Sequence, residues 1–327
     1  MILDVLIVGA GPSGLAAAIA CQRLGLAYDL LEKGVLVNSI FHFPSHMAFF
    51  TTPELLEVGG YPFVSPFEKP TRLEALRYYR RVVDGQRLTV TLGEEVQGVE
   101  RQPADNTFLV RSTTRHGVEH RHVARAVVLA IGYYDHPNRL GVPGEDLPHV
   151  SHYYDEAHPF YRQRVVVVGG ANSAAESALE LHRAGAHVTL VHRHAVLDDG
   201  IKYWVRPDIL NRISEGSIAV RYETEVVEIS RDAVVVDHAG ARDTIAADAV
   251  FLLTGYHPDR EFLGRCGVQF DPATCAPVHD ADTFETSVPN LFLAGGVTVG
   301  HGTAPVFIEN GRLHGEKIVA MIARRLS

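Results

Sequence analysis

One strand–glycine–helix pattern occurs twice in this chain, about half a chain apart, and that duplication narrows the folds open to it. The first copy runs Val5–Cys21 and the second Val165–Leu181. Each opens with a β-branched and aliphatic run, turns on glycines, and continues with Ala- and Leu-rich sequence of helical period. This is the pattern of βαβ units in parallel sheets. The expected fold class is α/β, with two Rossmann-like dinucleotide-binding domains.

Around the two copies, Leu88–Val96, Phe108–Ser112 and Ala126–Ala130 read as strands, the last ending in Ile131-Gly132. Ala219–Ile229, Ala233–Val236 and Ala249–Leu253 read likewise, the last ending in Thr254-Gly255. Asn290–Gly296 is a strand with a glycine stop, and Pro305–Arg325 an amphipathic helix with proline in its first turn. The Pro/Gly-rich stretch Gly141–Pro148 reads as a connection, which sets a domain boundary near His149.

The first glycine turn is Gly9-Ala-Gly11-Pro12-Ser13-Gly14, between the strand Asp4–Val8 and the helix Leu15–Leu24. Glu32, followed by Lys33, ends the next strand. The glycines permit a tight turn and close backbone approach to a pyrophosphate, and free helix N–H groups face the phosphate. The acid can accept from ribose hydroxyls, so FAD or NAD is expected here. The second turn is Gly169-Gly170-Ala171-Asn172-Ser173-Ala174. Where the first copy has its acid, this copy has His192-Arg193-His194. An acid would repel a 2′-phosphate and Arg193 would pair with one, which selects NADPH over NADH.

Two dinucleotide units with opposite selectivity describe a device for moving hydride from NADPH to a flavin. The late Gly295 turn, Ala304 and the helix expected from Pro305 would serve the polar end of the flavin ring, where a helix N-terminus stabilises negative charge.

Composition excludes several other classes. A net charge of −9 leaves no broad basic field for nucleic acid or an anionic membrane. The longest apolar runs fall far short of the roughly 20 residues of a membrane span. The amino terminus enters an apolar strand at once, without the basic start and cleavage site of an export signal. Three cysteines, Cys21, Cys266 and Cys275, are too few for a disulfide framework and fit a reducing cytoplasm.

The chain resembles the two-dinucleotide-binding-domain flavoproteins, and within them the bacillithiol disulfide reductase family of thioredoxin reductase-like proteins. The carriers are Glu32–Ser39, Phe49-Phe50, Leu76–Tyr79, Gly132–Asn138, Gly141–Leu147, Thr254–Asp259 and Phe307–Arg312. The resemblance implies FAD, NADPH as reductant, a homo-oligomer (dimer or tetramer), and a low-molecular-weight thiol disulfide such as bacillithiol disulfide as substrate. It implies a split FAD-binding domain, 1–150 plus 258–327, enclosing an NADPH-binding domain at 151–257. Gly9, Gly11, Gly14 and Glu32 then hold the adenosine diphosphate half of FAD, with Pro12, Ser13, Lys33 and Gly132 beside it. Gly169, Gly170, Ala171, Asn172, Ser173, His192, Arg193 and Gly255 serve NADPH. Related flavoproteins carry Gly-Asp near the flavin linker, where this chain has Gly295-Gly296.

The cysteines depart from the usual disulfide reductase pattern. No C-x-x-C or C-x₄-C pair occurs, and Cys266 and Cys275 are nine apart. Many family members carry a cysteine in the first glycine loop, where this chain has Ser13. Cys21 falls on the apolar face of the first helix and reads as a core thiol. Disulfide reduction here therefore needs electrons to pass directly from flavin to substrate, with a protonated group for the leaving thiolate. His136 and His257, each just past a glycine-ended strand, are the candidate catalytic residues, with Tyr133, Tyr134 and Tyr256 nearby.

No metal site is expected. His116, His120 and His122, and separately His149, His152 and His158, lack carboxylate or cysteine partners at zinc-like spacing. No G-x-S-x-G elbow suggests hydrolysis. The alternatives are a flavin-dependent monooxygenase, whose Phe-x-Gly-x-x-x-His signature is not found, a ferredoxin–NADP reductase-like enzyme, and a redox-sensing binding protein.

Overall fold

The computed structural model describes residues 2–300 and 306–326, which form two compact units. Unit 1 comprises residues 1–43, 47–136 and 256–327, and unit 2 comprises 44–46 and 137–255. In chain order, unit 1 begins with β1 (Ile2–Val8), α1 (Pro12–Arg23), β2 (Tyr28–Glu32), α2 (Asn38–Phe41), α3 (Pro53–Leu56) and α4 (Arg72–Gln86). β3 (Thr91–Leu92), β4 (Glu94–Gln102), β5 (Thr107–Thr114) and β6 (Glu119–Leu129) follow. Unit 2 then supplies β7 (Val150–Ser151), β8 (Arg164–Val168), α5 (Asn172–Arg183), β9 (His187–Val191), α6 (Arg206–Ser214) and β10 (Ala219–Arg221). It ends with β11 (Thr224–Ile229), β12 (Ala233–His238), β13 (Ala241–Ala246) and β14 (Ala249–Leu252). The chain returns to unit 1 for α7 (Arg260–Arg265), β15 (Leu291–Leu293) and α8 (Ile308–Leu326).

In unit 1 the strand order is β3-β2-β1-β6-β5-β4, with β15 also on β6. β1 pairs in parallel with β2 and β6, while β4, β5 and β6 form an antiparallel meander. The long β6 serves both, pairing with β5 along its first half and with β15 at its end. One face of this sheet packs on α1, α4 and α8, and the other packs on α7. Gly315 brings α8 close to α1, because a Cβ there would lie 2.5 Å from the amide nitrogen of Ala17. α4 starts with a capping box in which Thr71 and Glu74 bond each other's backbone N–H groups.

Unit 2 has a parallel sheet in the order β10-β9-β8-β14-β7 and a separate antiparallel sheet β11-β12-β13. β8 and β14 bury their valines and leucines on both faces, against α5 and α6 on one side and β11–β13 on the other. In both units the glycine turn follows the central strand whose neighbours lead in opposite chain directions, the crevice where open α/β sheets bind ligands.

The compact units divide at 136/137 and 255/256, whereas the expected cofactor domains divide at 150/151 and 257/258. Residues 137–150 fold with unit 2 because Val150 pairs with Val250 in its sheet and the amide of Ile229 donates to Pro143 O at 2.8 Å. Tyr256 and His257 fold with unit 1, where the His257 amide donates to His136 O at 2.9 Å. The C-terminal helix begins at Ile308 rather than in the turn after Pro305. Phe307 is not helical, and its amide bonds the side-chain oxygen of Asn310 at 2.9 Å. Ala304 and Pro305 lie outside the described residues. The expected strand Leu88–Val96 breaks at Gly93, whose φ is +71°, and Ala219–Ile229 divides at Glu223 between two sheets.

Candidate functional site

The first glycine turn is shaped by close backbone contacts. Gly9 has φ +102°, and a Cβ on it would lie 2.5 Å from Ala130 O. A Cβ on Gly14 would lie 1.9 Å from Gly9 O, so this position holds α1 tight against the strand end. A Cβ on Gly11 would meet no atom within 4 Å. That open side leaves room for a pyrophosphate at the helix N-terminus. Gly11 caps α1 without a side-chain hydrogen bond, and Pro12 occupies the first turn.

Glu32 closes the turn from the end of β2. It is 6% exposed, and its two oxygens accept separately from Ala10 N and Gly34 N, each at 2.8 Å. Burial raises its pKa, and these two amides offset part of the rise. Each carboxylate oxygen keeps a lone pair for a ribose hydroxyl. Lys33 is ion-paired with Asp135 at 2.8 Å, which raises its pKa despite the opposing effect of burial. The residues present fit the adenosine half of a dinucleotide.

Ser13, Gly295 and Gly311 form one contact at the start of α1. The Ser13 hydroxyl donates to Gly311 O at 3.1 Å, and a Cβ on Gly295 would meet the Ser13 Oγ at 2.2 Å. His314, which sequence reasoning missed, sets this turn from α8. Its Nδ1 accepts from the Gly295 amide at 3.1 Å and its ring stacks on Phe284 at 3.9 Å. Burial, with Lys317 and His279 nearby, pushes its pKa down to about 4, so the imidazole is neutral and acts as acceptor. A Cβ on Gly296 would meet the Tyr133 ring at 2.9 Å, so an aspartate there would require that ring to move. Gly132, with φ +66°, meets nothing within 4 Å.

In unit 2, Gly169 has φ +147° and backs onto Leu253 O. A Cβ on Gly170 would enter the His192 ring, 2.2 Å from its nearest atom, so the imidazole lies over this glycine. Ala171 caps α5 without a side-chain bond, leaving the helix N-terminus to a ligand. Asn172 anchors the facing loop, donating to Gly200 O at 3.0 Å and accepting from Lys202 N at 2.8 Å. Ser173 follows in the first turn of α5.

Burial, with His194 and Arg193 adding to it, lowers the pKa of His192. Arg193 is exposed, and its Nε donates to His194 Nε2 at 3.3 Å. These residues fit a dinucleotide that carries an extra phosphate. Lys202 was not marked by the sequence, where it sits in the apolar and aromatic run Ile201–Trp204. It is buried, with Nζ 2.6 Å from Glu176.

The structure brings His136 and His257 together, with ring centroids 5.9 Å apart. They stand where the chain passes between units, at 136/137 and 255/256. His136 Nε2 is 3.5 Å from Asp259, whose other oxygen caps α7 by accepting from Phe262 N. His257 Nδ1 is 2.8 Å from Pro258 O, which makes Nδ1 the protonated nitrogen of the neutral ring and leaves Nε2 as acceptor. The Tyr134 and Tyr256 rings lie 4.6 Å apart, tilted by 40°. On the unit 2 side, the Gly255 carbonyl accepts from Asn138 N at 2.9 Å. All three cysteines are free. Cys21 and Cys266 are buried, and burial pushes both thiols up to about 12, so neither is a nucleophile at neutral pH.

A family model described as pyridine nucleotide-disulphide oxidoreductase matches residues 6–295, which spans both glycine turns and ends at the Gly295 turn. The chain belongs to this family. Pyridine nucleotide-disulphide oxidoreductases are redox enzymes, and the chain is one of them. It is similar to the bacilliredoxin reductase Bdr of Bacillus subtilis (strain 168), at 41% identity over 98% of this chain and 97% of the relative. The structure of the bacillithiol disulfide reductase Bdr from Bacillus cereus superposes with a TM-score of 0.97 at 41% identity, covering 99% of this chain and 100% of the other. A thioredoxin reductase from Lactococcus lactis, at 22% identity, shares the fold with a TM-score of 0.76 over 98% of each chain. The expected thioredoxin reductase-like α/β fold is thus borne out. No described helix is long and apolar enough to cross a membrane.

Proposed function

We propose that this oxidoreductase uses NADPH to reduce the disulfide of a low-molecular-weight thiol, bacillithiol disulfide, in a homo-oligomer. The cofactors are FAD and NADPH. When bound, they supply a hydride donor and a carrier that hands an electron pair to the acceptor. The balance is one NADPH, one proton and one disulfide giving NADP⁺ and two thiols.

One observation carries the assignment of cofactors to units: an anchored acid ends the second strand of one unit, and a cationic His-Arg-His ends that of the other. On this reading Gly9, Gly11, Pro12, Ser13, Gly14, Glu32, Lys33, Gly132, Gly295 and Ala304 serve FAD in unit 1. Gly169, Gly170, Ala171, Asn172, Ser173, His192, Arg193 and Gly255 serve NADPH in unit 2. The bacillithiol substrate is supported by the 41% identity with Bdr.

No paired cysteine is available to relay electrons, and Ser13 cannot exchange with a disulfide. On this reading the substrate sulfur–sulfur bond is opened without a protein mixed disulfide. His136, held by Asp259, or His257 once its Nε2 has taken a proton from solvent, donates that proton to the departing thiolate.

The test is steady-state NADPH oxidation by the flavin-loaded protein with bacillithiol disulfide, oxygen, a quinone and ferredoxin compared as acceptors. Turnover that depends on the disulfide supports the reading. Turnover with another acceptor and none with the disulfide overturns it in favour of a monooxygenase or ferredoxin–NADP reductase-like activity.

A further inference from the structure

The antiparallel meander of unit 1 brings together three metal-ligating side chains. Sequence spacing shows His120 and His122 without a partner, but strand pairing places Ser112 of β5 opposite His120, and Val96 of β4 opposite Ser112. Glu94, two residues before Val96, shares that face. The result is convergent: Glu94 Oε1 lies 3.1 Å from His120 Nδ1 and 3.1 Å from His122 Nε2. The Ser112 hydroxyl donates to the same oxygen at 2.5 Å.

We infer that Glu94, His120 and His122 form a site for a divalent transition-metal ion, zinc(II) by its ligand chemistry. Two imidazole nitrogens and one carboxylate oxygen are the donor set that such ions take, with a fourth position for water. The spacing suits them too. Metal–ligand bonds of about 2.0–2.1 Å in a tetrahedron set ligand atoms roughly 3.3 Å apart. Both His-to-Glu separations are close to that edge, and all three ligand atoms lie within 4.8 Å of one another.

Closing the remaining gap falls to His120, whose side chain at 46% exposed has more room to turn than Glu94 at 4% or His122 at 17%. A second observation points the same way: the far nitrogen of His122, Nδ1, faces an Asp29 oxygen at 3.9 Å. At this separation the carboxylate attracts the Nδ1 side of the ring without hydrogen-bonding it, and closing that gap would give the carboxylate–histidine pair usual around bound zinc.

The experiment uses the full-length, flavin-loaded protein, stripped with a chelator and titrated with cobalt(II) and zinc(II). The expected result is one cobalt(II) per chain with the visible bands of a tetrahedral site, displaced by zinc(II). Glu94→Gln and His122→Ala should lose the bands, and Asp29→Asn should weaken binding about tenfold. His116→Ala, on the same meander but outside the cluster, should change nothing. Should Glu94→Gln fail to fold, His120→Ala serves instead, because its exposed ring contributes little to the core. Absence of a tetrahedral spectrum in the wild type, or the same affinity in His120→Ala and His122→Ala, overturns the proposal and assigns any uptake to other histidines.

Discussion

Gly315→Ala tests the packing that holds the first glycine turn in place. In an unconstrained helix this change gains roughly 0.5–1 kcal/mol, because glycine loses more backbone freedom on folding. Here the new Cβ would lie 2.5 Å from Ala17 N, 2.9 Å from Ala17 Cα and 3.0 Å from Ser13 O. All three are backbone atoms of α1, so no side chain can swing aside. The shortest contact is about 0.9 Å inside the 3.4 Å at which ordinary contact begins, and α1 and α8 must separate. Overpacking of this kind costs about 1–3 kcal/mol and occasionally more. The net expectation is a loss of about 1–2 kcal/mol, which for a unit of this size lowers the melting temperature by roughly 2–8 °C. Because α1 carries Gly11, Ser13 and Gly14, flavin content should fall as well. Thermal unfolding and the ratio of flavin to protein absorbance read both effects. Gly264→Ala is the control: it lies exposed in α7 with nothing within 4 Å of its Cβ, and should be neutral or slightly stabilising. If Gly315→Ala melts at or above the wild-type temperature with full flavin, the close α1–α8 contact neither limits stability nor holds the glycine turn in place.

Three further expectations rest on single side chains. The folded-state pKa of His314 is lowered from 6.5 to about 4, so its contribution is fully present above pH 6.5 and is lost as pH falls toward 4, at up to about 1.4 kcal/mol per pH unit; denaturant unfolding of His314→Gln should show a shallower acid loss than wild type. Arg193→Ala removes the cation assigned to the 2′-phosphate, a charge-assisted contact of about 1.5–3 kcal/mol, and should raise the KM for NADPH at least tenfold while leaving that for NADH unchanged. Ser13→Cys places a thiol at the head of α1, and intact-protein mass spectrometry after incubation with bacillithiol disulfide should find a mixed disulfide in this variant and none in wild type.

The sequence reveals local features well and long-range partners poorly. The turns at Gly9–Gly14 and Gly169–Ala174, and the acid at Glu32, are legible because strand, turn and helix follow one another directly along the chain. The stretch Gly141–Pro148 is legible as a turn, but its allegiance is not. That is decided by Ile229, some eighty residues on, whose carbonyl would lie 1.8 Å from a Cβ on Gly144. The same limit hides His314, which reaches Gly295 only because α8 folds back over α1. It hides Lys202, whose charge is buried in an apolar run by pairing with Glu176 on a different element. Glu94 joins His120 and His122 through strand register alone, which residue spacing does not encode.

Disulfide reduction without a protein thiol can be read from an anaerobic count of thiols released per NADPH consumed, made on the flavin-loaded wild type and on a variant with Cys21, Cys266 and Cys275 all replaced by alanine. Both proteins should release two thiols per NADPH from bacillithiol disulfide. Flavin that NADPH reduces but the disulfide never reoxidises in the wild type, or thiol release that disappears in a folded, flavin-loaded cysteine-free variant, would contradict that route.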